Sequence, residues 1–133
     1  MPPKILELPK IMDNRGNLTF LQNCQHFPFE VKRVFYTYDV PGGQIRGGHA
    51  YLTQHEVIIS LAGSFDVVIT NSDGSIEKFN LNRSYFGLYL PPLTWRHMDN
   101  FSTNAFSLHL SSEHYSEADY IRNFEDLSVL KNV

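Results

Sequence analysis

The sequence predicts an all-β fold. Short runs rich in β-branched and aromatic residues succeed one another along almost the whole chain, as in Lys32 to Val40 (KRVFYTYDV) and Phe65 to Thr70 (FDVVIT). Turn chemistry separates them: Asp13-Asn14-Arg15-Gly16, Gly42-Gly43, Ala62-Gly63, Asn71-Ser72-Asp73-Gly74 and Pro91-Pro92. Only after Ser111 does the apolar period change to that of a helix. This is the pattern of a sandwich or barrel closed by one short C-terminal helix.

Taken in order, Ile5 to Leu8 reads as a short edge strand broken by Pro9, because proline cannot donate to a ladder. The Asp13–Gly16 turn leads into a strand at Asn17 to Leu21, and a polar loop with Pro28 precedes the strand Lys32 to Val40. Gln44 to Tyr51 and Glu56 to Leu61 follow the glycine pair. Phe65 to Thr70 returns through an Asp-Gly hairpin tip to Ser75 to Asn80. Phe86 to Leu90 and Thr94 to Asn100 flank the two prolines, and Asn104 to Ser111 sets Phe106, Leu108 and Leu110 on one face against Ser107 and His109 on the other. Ser116 with Asp119 three residues later has the form of a capping box, and Ile121, Phe124 and Leu127 recur at helical spacing.

Length and composition bound the function. A chain of 133 residues with 42% hydrophobic and 14% aromatic residues fits a single domain over 1–133 with a substantial core. The net charge of −3 argues against nucleic acid or an anionic membrane as partner. Cys24 is the one cysteine, which excludes an internal disulfide and fits an ordinary thiol in a reducing compartment. No apolar signal core or membrane-span-length run is present, so a cytoplasmic location is expected.

The chemistry concentrates between Gly43 and Gly63. Gly43, His49, Tyr51, Glu56 and Gly63 stand at the spacing of the first cupin motif, in which two histidines and a glutamate point into a small β-barrel; here tyrosine takes the second histidine's place. Residues two apart on a strand share a face, so His49 and Tyr51 project together, an imidazole beside a phenol. That pair suits proton transfer better than metal binding, since tyrosine is a poor ligand for most divalent ions. The second cupin motif, proline followed five residues later by histidine, is met by Pro92 and His97, while Pro91 and Arg96 meet the same interval. Only one of Arg96 and His97 can face inward unless the strand bulges. With His97 inward, a His49, Glu56, His97 set could hold iron. The remaining histidines, His26, His55, His109 and His114, read as ordinary strand or surface residues. Arg15, Arg33, Arg46, Arg83, Arg96 and Arg122 suit a diphosphate, whose oxygens a guanidinium binds in pairs, and Trp95 or a tyrosine could stack on a nucleotide base.

These residues resemble the dTDP-4-oxo-6-deoxyglucose 3,4-ketoisomerases, small cupins that prepare sugar nucleotides for 3-amino-3,6-dideoxyhexoses of bacterial surface glycans. The carriers are Asp13-Asn14-Arg15-Gly16, Lys32-Arg33-Val34-Phe35-Tyr36, Arg46-Gly47-Gly48-His49-Ala50, Gly87-Leu88-Tyr89, Trp95 and the tail Tyr115-Ser116-Glu117-Ala118-Asp119-Tyr120-Ile121-Arg122. The resemblance implies a cupin jelly-roll barrel, a homodimer that exchanges N-terminal strands, no metal and no cofactor, and a dTDP-4-oxo-6-deoxyhexose as substrate. It implies His49 as catalytic base; Tyr51, on the same strand face, is expected in a supporting role, and Arg15, Arg33, Tyr36, Arg46, Trp95, Arg96 and His97 are the candidate substrate-binding residues. The chain departs from the family at Tyr51, where a second histidine is usual. A 3,5-epimerase, a metal-dependent cupin and a non-catalytic nucleotide-sugar-binding cupin are the competing readings.

Overall fold

The structure, a computed structural model, describes residues 2–23 and 25–131. The thiol of Cys24 lies outside the described residues. In chain order the elements are β1 (Lys4–Glu7), β2 (Lys10–Asp13), β3 (Gly16–Thr19), β4 (Arg33–Tyr38), β5 (Arg46–Tyr51), β6 (Glu56–Ala62) and β7 (Phe65–Thr70). After them come β8 (Ile76–Leu81), β9 (Phe86–Leu90), β10 (Trp95–Asp99), β11 (Phe106–Ser111), a 3₁₀ turn (Glu117–Asp119), β12 (Tyr120–Ile121) and α1 (Phe124–Lys131). Two five-stranded antiparallel sheets result, ordered β1-β9-β6-β11-β4 and β12-β5-β10-β7-β8, while β2 and β3 pair only with each other. From β4 onward the chain passes from one sheet to the other at every connection except β7 to β8. That repeated crossing is the jelly roll the sequence predicts.

Strand β6 shows how composition sets the layers. Its run Val57-Ile58-Ile59 lacks the usual apolar–polar alternation because both of its faces are covered. Ile58 points between the sheets and packs with Phe65, Val67, Ile69, Leu88, Leu90 and Met98. Val57 and Ile59 point outward beneath Leu8, Phe27 and Phe29 of the N-terminal segment, together with Tyr89 and Leu110. Glu56 is two residues before Ile58 and so shares its inward face. The space between the sheets is therefore apolar at one end and polar at the other.

The C-terminus corrects the sequence reading. Ser116 makes no side-chain capping bond, and the residues after it form a 3₁₀ turn rather than a helix. Asp119 is occupied elsewhere: its carboxylate accepts hydrogen bonds from Thr53 N (2.8 Å), Thr53 Oγ1 (2.7 Å) and Gln54 N (3.2 Å), fastening the β5–β6 connection. Tyr120 and Ile121 then lie antiparallel to Tyr51 and Ala50 as β12. The helix begins only after Asn123, whose Oδ1 accepts the Glu125 N–H at 2.8 Å. Strand β2, a stretch to which the sequence reading assigned no element before the Asp13 turn, pairs with β3 to make a hairpin with Ile11, Met12 and Leu18 exposed.

Candidate active site

The polar end of the interior is built by five strands. Strand β5 supplies His49 and Tyr51, β6 supplies Glu56, β10 supplies Arg96, β11 supplies His109 and β4 supplies Phe35, and all six line one cavity of about 40 Å³ with Gly47, Ile58 and Met98. A volume of that size admits a single small group.

A bulge decides which residues of β5 and β10 face in. Arg96 is opposite His49, but His97 is opposite Gly47, so Gly48 is the extra residue. Gly47 and Gly48 have φ of +93° and +84°, and a Cβ on Gly47 would sit 3.2 Å from the His97 Cα and 3.3 Å from the Arg96 carbonyl oxygen. Only glycine fits a left-handed position pressed so closely on a neighbouring strand. The bulge leaves His49, Tyr51 and Arg96 inward. It does not bring His97 in with Arg96: the His97 imidazole lies on the opposite face, its Nε2 3.4 Å from Asp99 Oδ2.

Arg96 and Glu56 form the buried electrostatic centre. Arg96 Nη1 donates to Glu56 Oε1 at 2.9 Å, with both side chains nearly inaccessible, and Gln54 Nε2 donates to the same oxygen at 3.0 Å. The second carboxylate oxygen, Oε2, lies 2.7 Å from His109 Nδ1. Burial raises the Glu56 pKa, but the Arg96 guanidinium and the His109 bond outweigh it and hold the group at about 2. Because this carboxylate is ionised, Nδ1 of His109 carries the proton of that bond. His109 Nε2 is 2.8 Å from Ser107 Oγ, Ser107 bonds Thr37, and the ring stacks on Phe35 at 4.5 Å and 8°. Arg96 Nη2 is buried without a hydrogen-bond partner among the described residues. The guanidinium carbon lies 5.0 Å from the Tyr51 ring centroid, so the cation also sits against the aromatic face that lines the cavity.

His49 stands against this charge. Burial, with the positive charge of Arg96 beside it and Glu56 pulling the other way, lowers its pKa to about 4, so the imidazole is neutral at physiological pH. Its ring meets Tyr51 edge-on at 4.9 Å. Burial raises the Tyr51 pKa, and the Glu56 charge and a hydrogen bond to Tyr120 raise it further, so Tyr51 is a phenol. A neutral base, a phenol and a guanidinium around one cavity can take a proton from carbon, donate to oxygen and hold a developing oxyanion.

The sequence-predicted residues separate into groups. His49, Tyr51 and Arg96 meet in the cavity. Arg33 stands beside it: its Nη2 donates to Gln54 Oε1 at 2.8 Å, and its guanidinium lies 4.9 Å over Phe35. Tyr36 and Trp95 do not join them, since each is one residue out of phase with an inward neighbour, Phe35 and Arg96. Tyr36 stacks on Phe106 on an exposed face, and Trp95 packs edge-on against Phe124 of α1 at 5.5 Å. Arg46 is exposed at the start of β5. Arg15 is paired with Asp13 on the β2–β3 hairpin, in a separate open concavity. Among the described residues no three His, Cys, Asp or Glu side chains are grouped to hold a metal. The His49, Glu56, His97 set is not assembled, because His97 faces away and Glu56 is taken by Arg96 and His109. Sequence reasoning treated His109 as an ordinary residue; the signal available was a polar Ser107–His109 face on a strand whose apolar face also had a sheet to cover. Gln54 carried no comparable signal.

Fold and site together define a cupin-type jelly roll whose polar end is organised for acid–base chemistry. The family model described as FdtA, WxcM-like, C-terminal matches residues 1–132, and the chain belongs to that family. It is 35% identical over 127 residues to the TDP-4-oxo-6-deoxy-α-D-glucose-3,4-oxoisomerase of Aneurinibacillus thermoaerophilus, covering 95% of this chain and 90% of that one. Among solved structures, the WlaRB TDP-quinovose 3,4-ketoisomerase of Campylobacter jejuni is 42% identical with a TM-score of 0.89, covering 96% of this chain and 97% of that one. A variant of the 3,4-ketoisomerase QdtA from Thermoanaerobacterium thermosaccharolyticum, in complex with TDP-4-keto-6-deoxyglucose, is 34% identical with a TM-score of 0.93, covering 96% and 92%.

Proposed function

We propose that this protein is a sugar-nucleotide 3,4-ketoisomerase that moves the carbonyl of dTDP-4-oxo-6-deoxyglucose from C4 to C3. The observation that carries this reading is the neutral His49 beside its cross-strand partner Arg96, both lining one cavity, in a chain of this family. His49 takes the proton from C3, and the electron pair becomes the C3=C4 bond of an enediol. The C4 oxygen gains charge and is met by the Arg96 guanidinium, with the Tyr51 hydroxyl as donor. Return of a proton to C4 and loss of the O3 proton complete the 3-oxo sugar. Every bond change is a proton shift. The small cavity suits the reacting edge of the sugar, with the nucleotide outside it toward Arg33.

The functional unit in this reading is a homodimer that exchanges N-terminal strands. The β2–β3 hairpin, which pairs only with itself and exposes Ile11, Met12 and Leu18, is the segment that would cross to a second copy. Arg15 on that hairpin would then reach a partner's substrate. No helix among the described residues is long and apolar enough to cross a membrane, and we place the enzyme in the cytoplasm, supplying a surface-glycan precursor.

The test is incubation with dTDP-4-oxo-6-deoxyglucose in deuterated water, followed by NMR at C3, C4 and C5. The reading expects the 3-oxo product with C5 protonated as supplied. Exchange at C5 would mark an epimerase instead, and failure to form the 3-oxo product would remove the assignment. His49→Asn should retain dTDP binding and lose about a hundredfold or more in turnover.

A further inference from the structure

We propose that Tyr120 is a positioning residue for the isomerisation, the outer member of a two-hydroxyl relay that acts on the sugar through Tyr51. The inference rests on the ketoisomerase reading and concerns β12, whose residues have no part in the chemistry described so far.

Tyr51 is 2% exposed, and its hydroxyl is 3.3 Å from the hydroxyl of Tyr120. The two are cross-strand partners in the β5–β12 pair, with ring centroids 4.7 Å apart. His49 lies 4.9 Å from the Tyr51 ring and 5.3 Å from the Tyr120 ring, so base and both phenols form one cluster. Strand β12 is only two residues long, yet it is fixed on both sides. Leu52 N donates to the Asp119 carbonyl at 2.8 Å, and Ile121 packs with Ala50 and Leu127. Tyr120 is half-buried, with the Arg122 guanidinium 4.4 Å over its ring and Arg122 itself held by both Glu117 oxygens on the surface. The pair thus runs from the cavity wall toward solvent.

The reaction needs such a route. Moving the carbonyl breaks C3–H and O3–H and makes C4–H and O4–H. When His49 takes the C3 proton, the C3–H pair forms C3=C4 and the carbonyl π pair moves to O4, which takes a proton from Tyr51. A buried Tyr51 phenolate is costly beside Glu56, so the hydroxyl can give its proton only as another arrives. The resting bond runs from the Tyr51 hydroxyl to Tyr120; with both hydroxyls rotated toward the substrate, Tyr120 supplies that proton to the Tyr51 oxygen and regains one from water. On ketonisation the O3 proton leaves over the same hydroxyls in reverse, the enediol pair moves to C4, and C4 takes the proton held by His49. The oxygens exchange protons with solvent, no phenolate persists, and no oxidant or reductant is required.

The experiment compares the wild-type chain with Tyr51→Phe, Tyr120→Phe and the double variant on dTDP-4-oxo-6-deoxyglucose, in water and deuterated water. Phenylalanine keeps the ring packing, and thermal unfolding checks it. Tyr120→Phe should lower kcat about tenfold or more with KM within about twofold, and should alter the solvent isotope effect on kcat. The double variant should be no slower than the slower single, because both changes cut one relay. Tyr120→His, which restores a group able to donate and accept, should recover part of the rate. Wild-type kcat in Tyr120→Phe, or single losses that multiply in the double variant, would overturn the relay and leave the ketoisomerase reading standing. No turnover by the wild-type chain would overturn both.

Discussion

His49 of β5 and Arg96 of β10 are direct cross-strand partners, and the Gly47–Gly48 bulge turns both toward the same cavity. The pairing has two effects. The fixed positive charge adds to burial in keeping the imidazole neutral, and it sits where negative charge would develop once that imidazole has taken a proton. Glu56 confines Arg96 through Nη1.

A base with a pKa of about 4 stays competent far into the acid range. The acid limb of kcat/KM, which reports the free enzyme, should lie well below the 6.5 of an ordinary histidine, with activity level from neutrality to about pH 5. Initial rates across pH 4–8 provide the check. An inflection near 6.5 would show a solvated base and contradict this site.

Glu56 and Arg96 should be destabilising to separate and tolerable to remove together. Glu56→Gln strands a buried guanidinium and is expected to cost about 3–5 kcal/mol, while Glu56→Gln with Arg96→Met should recover part of that loss. Urea unfolding of the two singles and the double gives the coupling. Strict additivity would mean that the 2.9 Å contact carries no energy.

The fold was legible because its signals are local. Turn dipeptides and alternation mark most of the strands, and the continuous Val57-Ile58-Ile59 run marks one covered on both faces. The first-motif spacing placed His49, Tyr51 and Glu56, which lie on two adjoining stretches of chain. What failed depends on tertiary competition. Asp119 has the position of a capping carboxylate but bonds Thr53 and Gln54 instead, so the helix starts at Phe124. Arg96 and His97 could not be separated by period alone, because the choice is made by glycines on another strand. His109 is distant in sequence from Glu56, and no local pattern announces that they meet.

Acid should weaken the fold in two stages of known sign. His49 has a folded pKa below its unfolded value, so between about 6.5 and 4 the unfolded chain binds a proton that the folded chain does not, and stability falls as pH falls. Glu56 is depressed from 4.5 to about 2 and adds a second loss over that lower range. Chemical denaturation at intervals from pH 7 to 4 should show the first stage in the wild type and a flatter profile in His49→Asn. Equal slopes in the two proteins would mean that His49 titrates normally in the fold.

The bulge itself can be tested by one methyl group. Gly47→Ala places a Cβ 3.2 Å from the His97 Cα and 3.3 Å from the Arg96 carbonyl oxygen, both backbone atoms, at a φ of +93°. Gly48→Ala has comparable backbone strain at +84° but meets nothing within 4 Å, so it serves as the reference for strain alone. Each substitution should cost about 1–3 kcal/mol for the left-handed conformation, with Gly47→Ala the more costly because β5 must also move away from β10. That movement separates His49 from Arg96, the pair on which the chemistry depends. Gly47→Ala should therefore lower kcat by about tenfold or more, a displacement effect on an aligned acid–base group, while Gly48→Ala loses less. Thermal unfolding and turnover at saturating substrate decide it. Equal behaviour of the two variants in both measurements would mean that the close approach of Gly47 to β10 does not set the position of the base.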